Sequence, residues 1–173
     1  MKVKISKIED MADIKTLMFS AINNLQADFL TPEQVSASHA GMGLDTQLIE
    51  DGTYFCVWDE DRIVGCGGWS FRSTLYGGNH TVGRDASRLN PDTDRARIRA
   101  MYTHPNFTRR GIGRMILEAS EKAAKASGFK GLEMAATLAG EPFYKRCGYT
   151  VERRWRDENG AVPVPLLTMV KTL

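Results

Sequence analysis

The sequence predicts an α/β or α+β domain in which helices cross a mixed sheet, in the order β-αα-ββ-β-α-β-α-ββ. Three observations carry that prediction. Short β-rich runs alternate with stretches of helical spacing along the whole chain. Two of those runs, "GTYFCVW" and "RIVGCGGWS", are joined by only "DED", which is a hairpin. No low-complexity tract, internal repeat or obvious linker breaks the 173 residues, a length expected to form one domain over residues 1–173.

The elements follow in order. "VKISKI" alternates and reads as a first strand. From Asp10 to Phe29, apolar residues fall at Ile14, Leu17, Met18, Ala21, Ile22 and Leu25, which is helical spacing. Thr31 before Pro32 and Glu33 is a helix start: a side-chain cap, then proline where no N–H is needed. That second helix is expected to run to about His39 and to stop at "GMG". The hairpin comes next. Residues 71–94 contain "YGGNH" and "NPDTD" and show no period, so they are expected to cover a site or to hide a turn of helix.

"ARIRAMYTH" is the next strand, ended by Pro105. A long helix starts at Gly111, with Ile112, Met115, Ile116, Ala119, Ala123 and Ala126 on its apolar face. Glu118 with Lys122, and Glu121 with Lys125, pair on its outer face, and Gly128 ends it. "GLEMAA" is a strand. "EPFYKRCG" is a short helix entered through Pro142 and closed by Gly148. "YTVERRWR" and "VPLLTMVKTL" are strands around "DENG".

Composition narrows the function classes. With 42% hydrophobic and 25% charged residues the chain reads as soluble and globular. No apolar run reaches a membrane span, and "MKVKISKIED" lacks the apolar centre of a signal peptide, so a cytoplasmic location is expected, with no membrane partner. Cys56, Cys66 and Cys147 show no paired spacing and read as reduced, mostly buried thiols. His39, His80 and His104 lack the spacing of a metal site, so no metal is expected. Net charge is only +2, but residues 84–114 hold eight arginines, three aspartates and no lysine. Arginine suits multidentate contact with phosphate or carboxylate; the plainer alternative is a solvated basic face. No aromatic platform or reader motif accompanies the arginines, so nucleic acid is not an expected partner.

The chemistry centres on "NFTRRGIGRMILEAS", residues 106–120. A helix N-terminus leaves N–H groups without partners and carries partial positive charge, where phosphate fits. Glycine removes the Cβ that would hold a diphosphate away from the backbone. The turn is therefore either a pyrophosphate cradle or a simple strand-to-helix connection. It is neither a P-loop, which needs Gly-Lys-Ser/Thr, nor a dinucleotide fingerprint, since Ile116 stands at the third glycine.

"IRAMYTHPNFTRRGIGRMILE" resembles the acyl-CoA-binding motif of the GNAT family of N-acetyltransferases. "TLAGEPFYKRCGY" resembles the family's later aromatic segment, and together the two cover residues 95–150. The resemblance implies a mixed, mostly antiparallel central sheet with helices on both faces. It implies acetyl-CoA as cosubstrate and direct transfer of the acetyl group to an amine of a small molecule or peptide. Main-chain groups of Met101 and Thr103 would hold the acyl and pantetheine arm. The turn of Arg109, Arg110, Gly111, Ile112, Gly113 and Arg114 would hold the pyrophosphate. Phe143 would pack beside the cofactor, and Tyr144 would protonate the departing thiolate.

Three positions depart from the pattern. Thr108 stands at the first motif position, Ala139 replaces the usual asparagine, and Arg97 stands where a strand glutamate often serves as base. The general base is thus unassigned, with His80, Glu133 and a water chain as candidates. Trp69, Phe71 and Tyr76 are candidates for the acceptor pocket. A non-catalytic acyl-CoA-binding sensor on the same fold is the alternative reading. A homodimer is compatible with this reading.

Overall fold

The computed structural model describes all of residues 1–173. Seven strands form one sheet in the order β1-β2-β3-β4-β5-β7-β6. The strands are β1 (Lys2–Ile5), β2 (Tyr54–Asp59), β3 (Arg62–Ser70), β4 (Ala96–Thr103), β5 (Gly131–Thr137), β6 (Thr150–Asp157) and β7 (Val164–Thr172). Only β4 and β5 run parallel; the remaining neighbours are antiparallel. The expected mixed, mostly antiparallel sheet is what forms.

Helices cover both faces, and the period-2 alternation of the strands divides the core between them. On one face α1 (Met11–Leu25) and α3 (Thr46–Glu50) bring Ile14, Leu17 and Leu48 against Tyr54, Cys56 and Cys66. α2 (Pro32–Gly41) packs beside α1, and its Thr31 cap accepts from the Gln34 N–H at 3.3 Å. On the other face α4 (Ile112–Ala126) sets Ile112 and Ile116 against Val57 and Val64. There Leu117 and Ala124 of α4 share a core with Tyr144 of α5 (Glu141–Arg146) and with Leu132 and Met134. Gly65 makes the close approach of α4 feasible: a Cβ there would lie 2.2 Å from Ile112.

The apolar spacing predicts a first helix over residues 10–29, but α1 ends at Leu25. Residues 8–10 form a separate 3₁₀ turn before it. α3 went unread because five residues are too few to show a period, although Asp45 caps it by accepting from Gln47 N–H at 3.2 Å. Residues 71–94 hold no helix. They are held instead by a bridge between Arg72 and Arg88, by loop hydrogen bonds such as Asn79 N–H to the Leu44 carbonyl, and by arginine side chains.

Candidate active site

The site is a gap in the sheet. β4 and β5 pair only from Ala96↔Leu132 to Ile98↔Met134. Beyond Ile98, β4 follows β3 as far as Thr103, while β5 follows β7 as far as Thr137. The two strands splay, and a cleft of about 670 Å³ opens between them.

A bulge in β4 decides which backbone groups face that cleft. The β3–β4 register shifts between Cys66 and Gly68, and Ala100 takes a left-handed conformation with φ 49°. The Tyr54 hydroxyl fixes it by donating to the Ala100 carbonyl at 2.7 Å. Antiparallel strands alternate between residues bonded to the neighbour and residues turned away. Trp69 turns its N–H to Thr53, away from β4, so Ile98 opposite it faces β5. Past the bulge the phase has changed. His104 N–H donates to the Val64 carbonyl at 2.9 Å, so His104 and Tyr102 are the residues bonded to β3. Met101 and Thr103 therefore turn their peptide groups toward the open side, where β5 has left.

The glycine turn closes one end of the cleft. Gly111 caps α4 in the left-handed region, φ 82°, and no side chain caps the helix. The first backbone bond into α4 runs from Met115 N–H to the Gly111 carbonyl. The N–H groups of Ile112, Gly113 and Arg114 thus have no partner in the protein. A Cβ on Gly111 would meet nothing within 4 Å, so the backbone there faces open space. Gly113 lies against the Phe143 ring, 3.2 Å from the position of a Cβ, and Ile112 is buried below. Arg109 and Arg114 line the cleft, whereas the Arg110 guanidinium lies 4.8 Å over the Phe107 ring.

Tyr144 reaches the same cleft from α5, and α5 meets the glycine turn where Phe143 packs on Gly113. No protein group hydrogen-bonds its hydroxyl, yet the oxygen is not among the buried atoms left without a partner, so it opens on the cleft. Burial pushes its pKa well above the ordinary tyrosine value, with Cys147 adding to the shift. The phenol is neutral at physiological pH.

The other sequence candidates lie elsewhere. Arg97 pairs with Glu133 across the β4–β5 step, and neither lines the cleft. His80 is exposed, with Nε2 3.1 Å from the His39 carbonyl. His104 caps the turn at residues 105–107 and contacts Arg62. Trp69 is a core residue, and Phe71 packs against the same core; only Tyr76 of the three aromatic candidates lines the cleft.

The arginines of the 84–114 stretch divide between uses: Arg109 and Arg114 line the cleft, Arg88, Arg95 and Arg110 are exposed, and Arg84 and Arg99 hold the covering segment. Arg99 is buried and spans three partners: Asp45 at 3.0 Å and the carbonyls of Thr74 and Gly77 at 2.8 and 2.7 Å. Arg84 reaches the same Asp45 at 2.5 Å. Arg72 makes a two-point pair with Asp51, at 2.6 and 2.7 Å. These side chains staple residues 71–94 over the sheet, and Leu75, Tyr76 and Gly77 become a wall of the cleft. The sequence held no sign of this use, since the partner Asp45 lies 54 residues from Arg99.

Comparisons with known proteins agree with this geometry. The family model described as the acetyltransferase (GNAT) family matches residues 19–149. An uncharacterized N-acetyltransferase of Bacillus subtilis strain 168, YjcF, is 26% identical over 163 residues, covering 91% of this chain and 99% of that protein. A GCN5-related N-acetyltransferase of Rhodopseudomonas palustris superposes with a TM-score of 0.73 at 20% identity, over 99% of this chain and 95% of the other. The PaiA N-acetyltransferase of Thermoplasma acidophilum, solved in complex with coenzyme A, superposes at 0.67 with 14% identity, over 99% and 98%.

Proposed function

This chain belongs to the acetyltransferase (GNAT) family, and from that premise we propose that it moves an acetyl group from acetyl-CoA directly to an amine of a small molecule or peptide. The observation that carries the reading is the meeting of two unsatisfied features in one cleft. The free N–H groups of residues 112–114 open on it at one end, and the unpartnered Tyr144 hydroxyl opens on it in the middle.

The residues fit the cosubstrate. Three N–H groups at a helix N-terminus, over a glycine whose outer side is empty, suit a pyrophosphate. Arg109 and Arg114 add charge beside them. The peptide groups of Met101 and Thr103 form an open strand edge along which the amide-bearing arm can lie. Acetyl-CoA supplies an activated thioester; the protein supplies position and a proton.

Tyr144 holds that proton. A buried phenol is a weaker acid than one in water, so it stays protonated while the cleft is empty. The same dry surroundings raise the proton affinity of a thiolate appearing beside it, so donation becomes favourable as the leaving group develops charge. A sensor that only binds acyl-CoA has no use for an unpartnered hydroxyl at this point. Calorimetry with CoA and acetyl-CoA, followed by a screen of amines for CoA release, tests the proposal. Failure to bind either form of the cosubstrate would refute it.

A further inference from the structure

The cleft continues past Tyr144 into the space under α1 and the 71–94 segment, and its chemistry there is one-sided. Ile22, Leu25, Phe29, Met42 and Leu75 make the walls apolar. No Asp, Glu, His or Lys lines the cleft at all; its only charged side chains are Arg99, Arg109, Arg114 and Arg146. Gln26 is buried among the apolar walls with 5% exposure. Its amide N–H meets only the Met42 sulfur, at 3.5 Å, and its Oε1 has no partner.

Resting on the transferase reading above, we infer that the acceptor is a weakly basic amine on an apolar, ring-sized body. Three features exclude the commoner alternatives. A polycation entering the acceptor end would meet apolar walls and the Arg99 guanidinium, already paired with Asp45, and no free carboxylate to offset its charge or its lost hydration. A strongly basic amine arrives as an ammonium and must lose a proton before it can attack the thioester. The titratable side chains available to take that proton are the phenols Tyr76, Tyr102 and Tyr144, all held protonated by burial. The two carboxylates bonded to cleft-lining side chains are already engaged: Asp45 pairs with Arg99 and Arg84, and Asp157 accepts from the Tyr76 hydroxyl at 3.0 Å and from Asn159. An amine already neutral near physiological pH needs no side-chain base. Its nitrogen attacks the acetyl carbonyl, the carbon–sulfur bond breaks, Tyr144 protonates the thiolate, and the amine's surplus proton passes through water to solvent, from which the Tyr144 phenolate is reprotonated.

The test uses the intact protein, saturating acetyl-CoA and four probes: 4-aminophenol, 4-methoxyaniline, 2-phenylethylamine and spermidine. At neutral pH the two aromatic amines should exceed 2-phenylethylamine by at least roughly tenfold in kcat/KM, the gap closing as pH rises toward ~10 and the ammonium deprotonates. Spermidine should give no turnover above the blank. Preference for spermidine would overturn the inference and leave the transferase reading intact. Preference for 2-phenylethylamine at neutral pH, lost in Asp157→Asn, would also overturn it by showing a relay through Tyr76. No turnover of any probe, with CoA still bound by calorimetry, would overturn the inference, while the amine-transfer reading would stand or fall on the broader amine screen.

Discussion

Replacing Gly111 by alanine separates the conformational role of the glycine turn from its binding role. Gly111 sits at φ 82°, where an L-residue pays about 1 kcal/mol relative to glycine. A Cβ there meets no protein atom within 4 Å, so no clash adds to that cost. For a chain of this size about 1 kcal/mol lowers Tm by roughly 2–4 °C. The added methyl enters the open space above the free N–H groups of residues 112–114. If a pyrophosphate lies there, the methyl holds it off the backbone, and losing even one charge-assisted hydrogen bond costs about 1.5–3 kcal/mol, roughly ten- to a hundredfold in Kd. Gly111→Asn is the control, since asparagine tolerates the left-handed region. It should recover most of the lost Tm but none of the lost affinity. Calorimetry with CoA and a thermal melt measure the two effects. A variant whose Tm falls while its CoA affinity stays unchanged would refute the assignment of the turn.

Three further outcomes are expected. Tyr144→Phe should lower kcat by roughly 10²- to 10⁴-fold while Tm and CoA affinity hold, because the hydroxyl has no partner in the protein to lose; steady-state kinetics beside calorimetry checks this, and unchanged turnover would return Tyr144 to a packing role. Arg99→Met should destabilise the fold by about 3 kcal/mol, since it leaves buried Asp45 with Arg84 alone and frees two carbonyls of the covering segment; denaturant melts measure the loss, and limited proteolysis should find cuts within residues 71–94 earlier than in the wild type. Burial pushes the Cys66 thiol up to about 12, so above the unfolded thiol pKa of ~8.5 only the unfolded chain gives up this proton. The stabilisation is complete below ~8.5 and falls by up to about 1.4 kcal/mol per pH unit until the folded value is reached; urea melts between pH ~9 and ~11 should show a shallower decline for Cys66→Ala than for the wild type.

The sequence carried the order of elements and the position of the cosubstrate end, because both depend on local signals. Thr31-Pro32 and Gly111 act within a few residues of themselves, and the apolar spacing of α1 and α4 survives any tertiary context. The acceptor end was less legible, because it is made by distant pairs. Arg99 and Thr74 lie 25 residues apart, Tyr76 and Asp157 81 apart, and neither pair leaves a periodic trace. Glu133 read as a candidate base from its place on the strand before Tyr144, but pairing β4 with β5 puts Arg97 directly beside it. Asp45 did carry a usable signal. An aspartate two residues before "QLIE" is a helix cap, and a buried cap with a second free oxygen needs a cation.

The bulge at Ala100 joins the two halves of the site. Without the extra residue, the alternation that turns Ile98 toward β5 would turn Tyr102 the same way and bind Met101 and Thr103 to β3. The open edge would then present the wrong peptide groups. The same residue shifts the side chains. Arg99 and Ala100 both face the α1 side, where Arg99 holds Asp45 and Ala100 packs beside Tyr54. Met101 consequently packs on the α4 side, and Tyr102 joins Tyr76 and Trp155 over the acceptor space. Five consecutive residues thus clamp the covering segment, turn the strand, offer a backbone edge and wall the pocket. A non-glycine residue in the left-handed region costs of order 1 kcal/mol or more and persists only when its surroundings impose it. Here the Tyr54 hydroxyl imposes it from β2, through the Ala100 carbonyl. Tyr54 touches neither end of the cleft, yet it sets the phase of the strand that forms both.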